Sequence, residues 1–124
     1  MTDAENTVIE LIAACNARDI ESALGLFTTD AIYHNIPIAP AQGHAEIRAM
    51  LGNFLAQALE VDWIVHHIVA RGGIVMTERT DRFRFAQGWI ELPVMGTFEI
   101  ADGRIAAWRD YFDMAPLTAL QNVA

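Results

Sequence analysis

The chain has 124 residues, which is enough for one domain with a sizeable hydrophobic core. Hydrophobic residues make up 53% of it and charged residues 19%, a balance that excludes an intrinsically disordered chain. The formal net charge of −8 at pH 7 argues against nucleic acid and anionic membrane as partners, because both are negatively charged. A neutral, apolar small molecule is the partner that this composition favours.

The sequence predicts a cytoplasmic protein without a membrane anchor. No apolar run approaches the roughly 18 residues that a helix needs to span a bilayer. Residues 1–5 are acidic and lack the basic start of a signal peptide. Cys15 is the single cysteine, which excludes an internal disulfide and a thiolate metal cluster.

Apolar residues at helical spacing predict three helices in the first half of the chain, over residues 4–17, 20–27 and 44–59. Thr2 and Glu5 have the spacing of a capping box at the start of the first helix, and Asp19 is placed to cap the second. Between the second and third helices, residues 31–36 predict a short strand that ends in a proline-containing loop over residues 37–43.

The second half of the chain predicts four consecutive strands, over residues 61–70, 74–85, 89–100 and 104–113. Short glycine-containing turns separate them, so they should form an antiparallel meander. Three helices are available to cover one face of such a sheet, and a curved sheet could hold a pocket beneath them. The sequence therefore predicts an α+β fold, with residues 1–124 forming a single domain.

Three ionisable residues interrupt the apolar faces of two predicted strands. Because side chains alternate between the faces of a strand, Arg79 and Asp81 share a row that is otherwise apolar. Asp110 falls between Trp108 and Phe112 in the same way. Burial of an ionised group costs free energy unless the group is paired. The pattern therefore suggests a catalytic site, although it also permits a surface ion pair between Arg79 and Asp81.

Three segments give the chain its resemblance to a known family: Tyr33-His34-Asn35-Ile36-Pro37, Thr77-Glu78-Arg79-Thr80-Asp81 and Trp108-Arg109-Asp110-Tyr111-Phe112-Asp113. In their order and spacing they resemble the limonene-1,2-epoxide hydrolase family. That family shares its fold with nuclear transport factor 2, ketosteroid isomerases and polyketide cyclases. The resemblance extends from the first helix to Asp113. It implies a cone-shaped fold, in which a curved mixed sheet wraps around a pocket covered by three N-terminal helices.

The resemblance also implies a role for each of five residues. Asp110 would be the general base that takes a proton from a water molecule held by Tyr33 and Asn35. Asp81 would be the general acid that protonates the epoxide oxygen, and Arg79 would bridge the two carboxylates. The reaction would convert a small hydrophobic epoxide, terpene-like or cycloalkene-like, into a vicinal diol. It would involve no covalent enzyme intermediate, no metal and no cofactor.

These residue types suit that chemistry. Opening an epoxide near neutral pH requires a proton on the leaving oxygen while a nucleophile attacks carbon, so an acid and an ionised base must coexist. Two neighbouring carboxylates can divide these roles, because their mutual repulsion favours one protonated and one ionised form. An arginine between them can fix both through its fork of donors. The sequence does not say which carboxylate holds the proton.

Apolar residues on the same strand faces are predicted to line the substrate pocket: Phe83, Leu92, Val94, Trp108 and Phe112. The predicted short strand is less clear. There Ile32 and Ile36 alternate with Tyr33 and Asn35, and the pattern alone would place the isoleucines in the core. Only the resemblance places Tyr33 and Asn35 in the pocket.

The opposite sheet face is also apolar in places, at Trp89, Pro93 and Met95, and together with the resemblance this predicts a homodimer. No metal site is predicted, because the adjacent His66 and His67 point to opposite faces of a strand.

Two other classes of function remain open from the sequence. A ketosteroid-isomerase-like or polyketide-cyclase-like enzyme would use one carboxylate as a base on a C–H bond. Such an enzyme needs an oxyanion hole rather than an arginine between carboxylates, so Arg79 disfavours it. A non-catalytic small-molecule-binding dimer would have no reason to place three ionisable groups on apolar faces.

Overall fold

The computed structural model of the chain describes residues 1–121. Its helices are α1 (Asp3–Asn16), α2 (Ile20–Leu24), α3 (Gly43–Ile47), α4 (Asn53–Gln57) and α5 (Ala115–Gln121), and a π-helical turn (Arg48–Gly52) joins α3 to α4. The predicted capping box is confirmed: the Thr2 side chain accepts a hydrogen bond from the Glu5 N–H, and the Glu5 carboxylate accepts one from the Thr2 N–H. Asp19 caps α2, as predicted.

The strands are β1 (Phe27–Asn35), β2 (Ala41–Gln42), β3 (Glu60–Arg71), β4 (Ile74–Phe85), β5 (Gly88–Ala101) and β6 (Arg104–Tyr111). They form one six-stranded sheet in the order β2-β1-β6-β5-β4-β3. The four long strands form the predicted antiparallel meander, and β1 adds to it in parallel beside β6. Shifts of register within three of these pairs mark bulges, which bend and twist a sheet. The predicted α+β class is confirmed.

The start of β1 differs from the prediction. The sequence placed Phe27 at the end of the second helix, three residues after Leu24 on the same apolar stripe. The structure ends α2 at Leu24 and begins β1 at Phe27, which pairs with Ile105 of β6. Phe27 is fully buried in the strand, and its apolar side chain would equally suit the buried face of a helix. The parallel partner strand, almost 80 residues away in sequence, decides between them.

The inner face of the sheet packs against the helices and carries the core. Alternate residues of β4 and β5 are buried along most of their length. On β1 the inward residues are Ala31, Tyr33 and Asn35, whereas Ile32 is 41% exposed. The interpretation of Ile32 as a core residue from the pattern is therefore wrong, because Ile32 lies on the outer sheet face. Within residues 1–121, no helix has the length and apolar character to cross a membrane.

Candidate active site

The three ionisable residues predicted from the sequence meet on the inner face of the sheet. Backbone pairing places Thr77 of β4, Gly96 of β5 and Asp110 of β6 side by side in one row. Arg79 and Asp81 follow Thr77 at two-residue intervals and therefore share its face. Pairing of the three strands brings residues that are 31 positions apart in sequence into hydrogen-bond contact.

Arg79 uses all of its hydrogen-bond donors at this point. Its Nε and Nη2 donate to the two carboxylate oxygens of Asp81 at 2.9 and 2.8 Å. Its Nη1 and Nη2 donate to the two oxygens of Asp110 at 3.1 and 2.8 Å. The second Nη1 hydrogen is taken by Thr77 Oγ1 at 3.1 Å. A guanidinium has five N–H groups, so each has a partner and the group is fixed in position and in plane.

The cluster is buried as well as paired. Arg79, Asp81 and Asp110 are exposed by 1%, 5% and 3%. Burial alone would lower the pKa of Arg79, but the neighbouring charges of Asp110 and Asp81 and their hydrogen bonds outweigh it, and the pKa rises. Arg79 therefore stays cationic. One cation facing two carboxylates leaves a surplus negative charge, which a single proton on either carboxylate would cancel.

The two carboxylates have different surroundings. Burial raises the pKa of Asp81 to about 6, with a further contribution from the Asp110 charge, against the hydrogen bonds and charge of Arg79 that lower it. Asp110 accepts a further hydrogen bond that Asp81 lacks, from Trp108 Nε1 at 2.7 Å. Asp110 therefore has three N–H donors and Asp81 has two. The raised pKa means that part of the Asp81 population keeps its proton closer to neutral pH than an exposed carboxyl group would.

Gly96 makes this arrangement possible. A Cβ atom at this position would lie 2.5 Å from Arg79 Nη1, 2.8 Å from Asp110 Oδ1 and 2.9 Å from Thr77 Oγ1. Such distances are far below normal contact, and all three atoms are held by the hydrogen bonds described above. The glycine is thus required by the close approach of the guanidinium to the strand.

Tyr33 and Asn35 also join the site, through the parallel pairing of β1 and β6. Tyr33 lies opposite Trp108 and Asn35 lies opposite Asp110. The Tyr33 ring stacks on Trp108 with ring centroids 4.4 Å apart, and Asn35 Nδ2 donates to the Tyr33 hydroxyl at 3.0 Å. Burial raises the pKa of Tyr33, so its hydroxyl stays protonated and can donate a hydrogen bond in turn.

These polar groups form one side of a cavity of about 220 Å³. The polar residues in its lining are Tyr33, Asn35, Asp81 and Asp110, and the apolar ones are Ile38, Met50, Phe54, Trp63, Phe83, Leu92, Val94, Phe112 and Leu117. Arg79 lies behind the carboxylates and is not part of the lining. Pockets for drug-sized ligands typically measure roughly 300–1,000 Å³, so this cavity suits a smaller molecule.

Trp108 departs from the prediction that it lines the pocket. It is 0% exposed and is not part of the lining, and the ring of Tyr33, which does line the cavity, stacks on it. Phe27 and Phe98 also stack against it. Its contact with the site is the hydrogen bond from Nε1 to Asp110, so it positions a carboxylate. The other four predicted lining residues, Phe83, Leu92, Val94 and Phe112, do line the cavity.

Several lining residues were not predicted from the sequence. Met50 lies in the π-helical turn and Phe54 in α4, where their apolar spacing resembles that of ordinary core residues. Trp63 faces Asp81 across β3 and β4, and alternation along β3 could have revealed this. Within residues 1–121, no three His, Cys, Asp or Glu side chains are grouped so that they could hold a metal ion.

Comparison with known proteins points to the family that the three segments suggested. A family model described as the limonene-1,2-epoxide hydrolase catalytic domain matches residues 2–122. Epoxide hydrolase EphG of Mycobacterium tuberculosis is 35% identical over 96 residues, which span 77% of this chain and 61% of that protein. A solved structure of an M. tuberculosis LEH-like epoxide hydrolase is 28% identical, with a TM-score of 0.84 over 95% of this chain and 88% of its own.

Proteins whose sequences are less similar to this chain also have its fold. The solved structure of an NTF2-like protein of unknown function from Burkholderia pseudomallei is 21% identical. It has a TM-score of 0.88 over 99% of this chain and all of its own. At that identity the likeness concerns the fold alone. The expected curved, mixed sheet of the nuclear transport factor 2 type, covered by the N-terminal helices, is confirmed.

Replacement of Gly96 by alanine tests the geometry of the cluster. The added methyl group would displace Arg79 from Asp110, and breaking a buried ion pair lowers the free energy of unfolding by about 3–5 kcal/mol. Gly25→Ala is the matched control, because its Cβ would meet nothing closer than 3.6 Å and its φ is −62°. Urea unfolding of both variants measures the difference. If Gly96→Ala proved as stable as Gly25→Ala, the close approach would not hold.

Proposed function

Because the chain belongs to the limonene-1,2-epoxide hydrolase family, we propose that it is an epoxide hydrolase, which adds water to a small hydrophobic epoxide and releases a vicinal diol. The observation that carries the proposal is the bidentate bridge of Arg79 between two buried carboxylates, both of which line an apolar cavity. This arrangement supplies an acid and a base within reach of one small ligand, as water addition to an epoxide requires.

Asp110 is the base in this proposal. It takes a proton from a water molecule held beside it by Tyr33 and Asn35, and the water oxygen attacks one carbon of the epoxide ring. The register of β1 and β6 supports this assignment, since it sets Asn35 directly beside Asp110. The three N–H donors around Asp110 also support it, because they fix the orientation of both carboxylate oxygens.

Asp81 is the acid. Its carboxyl proton passes to the epoxide oxygen as the C–O bond breaks, so that the leaving oxygen departs as a hydroxyl group rather than as an alkoxide. The raised pKa of Asp81, about 6, supports this role because a fraction of the side chain remains protonated near neutral pH. After the reaction Asp110 holds one proton more and Asp81 one fewer. A proton must therefore return to Asp81 before the next turnover.

The remainder of the cavity suits the substrate class. Nine apolar side chains in its lining can hold the hydrocarbon part of a terpene-like or cycloalkene-like epoxide. Exclusion of bulk water by these side chains strengthens the interactions of the carboxylates with the reacting atoms. The negative charge of the chain, −8, is consistent with a neutral ligand.

A ketosteroid-isomerase-like or polyketide-cyclase-like reaction is less well supported, because the family model that matches the chain is that of an epoxide hydrolase. It would need donors directed at a developing oxyanion. All five N–H groups of Arg79 already have partners, so this residue has none to offer a substrate.

We also propose that the chain forms a homodimer through the outer face of the sheet. Three large apolar side chains on that face, Met76, Met95 and Tyr111, are about half exposed, and Met95 and Tyr111 are paired across β5 and β6. Sedimentation equilibrium should give twice the chain mass, and Met95→Glu should shift the mass toward that of one chain without loss of the fold. A wild-type chain that sediments as a monomer at high concentration would contradict this proposal.

Asparagine substitutions test the two carboxylates. Asp110→Asn removes the base and Asp81→Asn removes the acid, while both keep the shape of the side chain. Each should lower kcat/KM for limonene oxide and cyclohexene oxide by about 10²- to 10⁴-fold, which is the usual contribution of a general acid or base. Asp113→Asn is the matched control, because Asp113 accepts a hydrogen bond from the Ala115 N–H and is not part of the cavity lining. Equal activity of Asp110→Asn and Asp113→Asn, with the fold retained by circular dichroism, would refute the proposed site.

The pH dependence of turnover tests the acid. Because the pKa of Asp81 is raised to about 6, its protonated fraction falls as the pH rises through that value. The kcat/KM should therefore decrease above about pH 6 and approach a tenfold loss for each pH unit. Stopped assays on cyclohexene oxide from pH 5 to pH 9 would measure it. A profile that stays flat up to pH 9 would show that Asp81 does not donate the proton.

A further inference from the structure

The indole ring of Trp63 lies beside the ion pair of Arg79 and Asp81. Trp63 is buried, and it is opposite Asp81 in the pairing of β3 and β4. The guanidinium of Arg79 lies over the ring, 5.4 Å from its centroid. Two hydrogen bonds hold that guanidinium to Asp81, so one aromatic ring borders both members of the pair. Contact between a guanidinium and an aromatic face is favourable, and more so away from water.

The hydrogen bonds of β3 place the Trp63 side chain close to Asp81. β3 is an outer strand of the sheet, and the side chain of Asn16, the last residue of α1, bonds to its free edge. Asn16 Oδ1 accepts a hydrogen bond from the Trp63 N–H at 2.7 Å, and Asn16 Nδ2 donates one to the Trp63 carbonyl oxygen at 3.2 Å. Because both backbone groups of Trp63 point away from β4, Trp63 and Asp81 form a non-hydrogen-bonded pair. In such pairs the Cα atoms are roughly 4.5 Å apart and the side chains are closest.

Other aromatic residues enclose the Trp63 ring. Phe54 of α4 stacks against it with ring centroids 6.1 Å apart, and the ring of Trp108 meets it edge to face at 6.1 Å. On the opposite side of Asp81, the neighbour in β5 is Leu92. Apolar side chains therefore flank the proposed acid on both adjacent strands. Since β3 is the outer strand, Trp63 stands between Asp81 and the solvent at the edge of the sheet.

We propose that Trp63, held by Asn16, is a positioning residue for the proposed acid: its ring excludes water from Asp81 and so favours the carboxyl group that carries a proton. This inference rests on the proposed hydrolase function, and it adds a residue to the five that the resemblance implies. Burial is the largest of the effects that raise the pKa of Asp81, to about 6. The ring contributes to that burial, because a carboxylate beside apolar atoms loses hydration while the neutral carboxyl group loses less.

The titratable groups that interact electrostatically with Asp81 come from four elements: Arg79 of β4, Asp110 of β6, Tyr33 of β1 and Cys15 of α1. The carboxylates keep the pKa of Arg79 raised, so that residue stays cationic. Burial raises the pKa of Tyr33 and of Cys15, so both stay neutral. Replacement of Trp63 by an apolar residue leaves all four groups in place and adds no charge. A shift in the titration of Asp81 would therefore report the loss of the ring.

Smaller side chains at position 63 test the assignment. Trp63→Leu leaves room for water beside Asp81, so the decrease of kcat/KM for cyclohexene oxide should begin about one pH unit lower than in the wild type. Trp63→Phe keeps an aromatic ring in this place and should shift the decrease by less. A residue that only packs would change kcat/KM by the same factor at every pH. The pH profile therefore separates a positioning role from a structural one.

Trp89→Leu is the matched control, because it also removes an indole ring that lies over an arginine, Arg82, but on the exposed outer face of the sheet. Its pH profile should equal that of the wild type. Asn16→Ala keeps the indole ring and releases the strand that carries it. This variant should shift the decrease in the same direction as Trp63→Leu, by a smaller amount. Asn16→Ala and Trp63→Phe decide the question if Trp63→Leu does not fold.

A measurement without substrate separates this inference from the hydrolase proposal. The ¹³C carboxyl signal of Asp81, identified by its loss in Asp81→Asn, reports the titration of this group directly. Its midpoint, about pH 6 in the wild type, should fall by about one unit in Trp63→Leu. If the midpoint falls but the wild type hydrolyses no epoxide, the effect of Trp63 on Asp81 holds and the hydrolase proposal fails. If epoxides are hydrolysed but Trp63→Leu changes neither the midpoint nor the pH profile, this inference alone is overturned.

Discussion

Arg79 places a guanidinium between two carboxylates on the buried face of a sheet, and the rest of the site depends on that contact. Transfer of one cation and two potential anions out of water is unfavourable unless every charge is paired and every donor is used. The chain meets this condition with residues from three adjacent strands. Thr77 accepts the last guanidinium hydrogen, and Gly96 leaves the space that the contact needs. Loss of Arg79 would leave two buried carboxylates without a counter-charge, so the geometry of the site and the stability of the sheet are linked.

The same cluster explains how two similar side chains can have opposite roles. Asp81 and Asp110 share one arginine, but Trp108 donates to Asp110 alone. Burial raises the pKa of Asp81 to about 6, which suits the carboxyl group that the proposal makes the acid. Trp108 therefore acts on the proposed reaction only through its hydrogen bond to Asp110. It does not line the cavity, yet its indole N–H donates to the carboxylate that the proposal makes the base and holds it in position.

Much of this arrangement could be predicted from the sequence, because the patterns that indicate it lie within short stretches of the chain. The capping box at Thr2, the glycine-containing turns of the meander and the charged residues within apolar rows all follow from short spacings. The errors arose where local patterns agree with two structures. Phe27 fits the stripe of a helix and the core face of a strand, and Ile32 looks more apolar than its neighbour Tyr33. The parallel pairing of β1 with β6 places Phe27 in a strand and Ile32 on the outer sheet face. This pairing depends on residues far away in sequence. Trp63 was missed as a lining residue although alternation along β3 could have indicated the face on which it lies.

The central claim is that a water molecule, activated by Asp110, attacks the epoxide directly. A single turnover in ¹⁸O-enriched water, with the protein in excess over cyclohexene oxide, tests this claim most directly. The account predicts that the first diol molecules contain one oxygen from the solvent, and that Asp110 contains no ¹⁸O when its peptide is analysed by mass spectrometry. First-turnover diol with unlabelled oxygen from the protein, and solvent label in the Asp110 carboxylate, would contradict it. Asp110 would then be a nucleophile that forms a covalent ester.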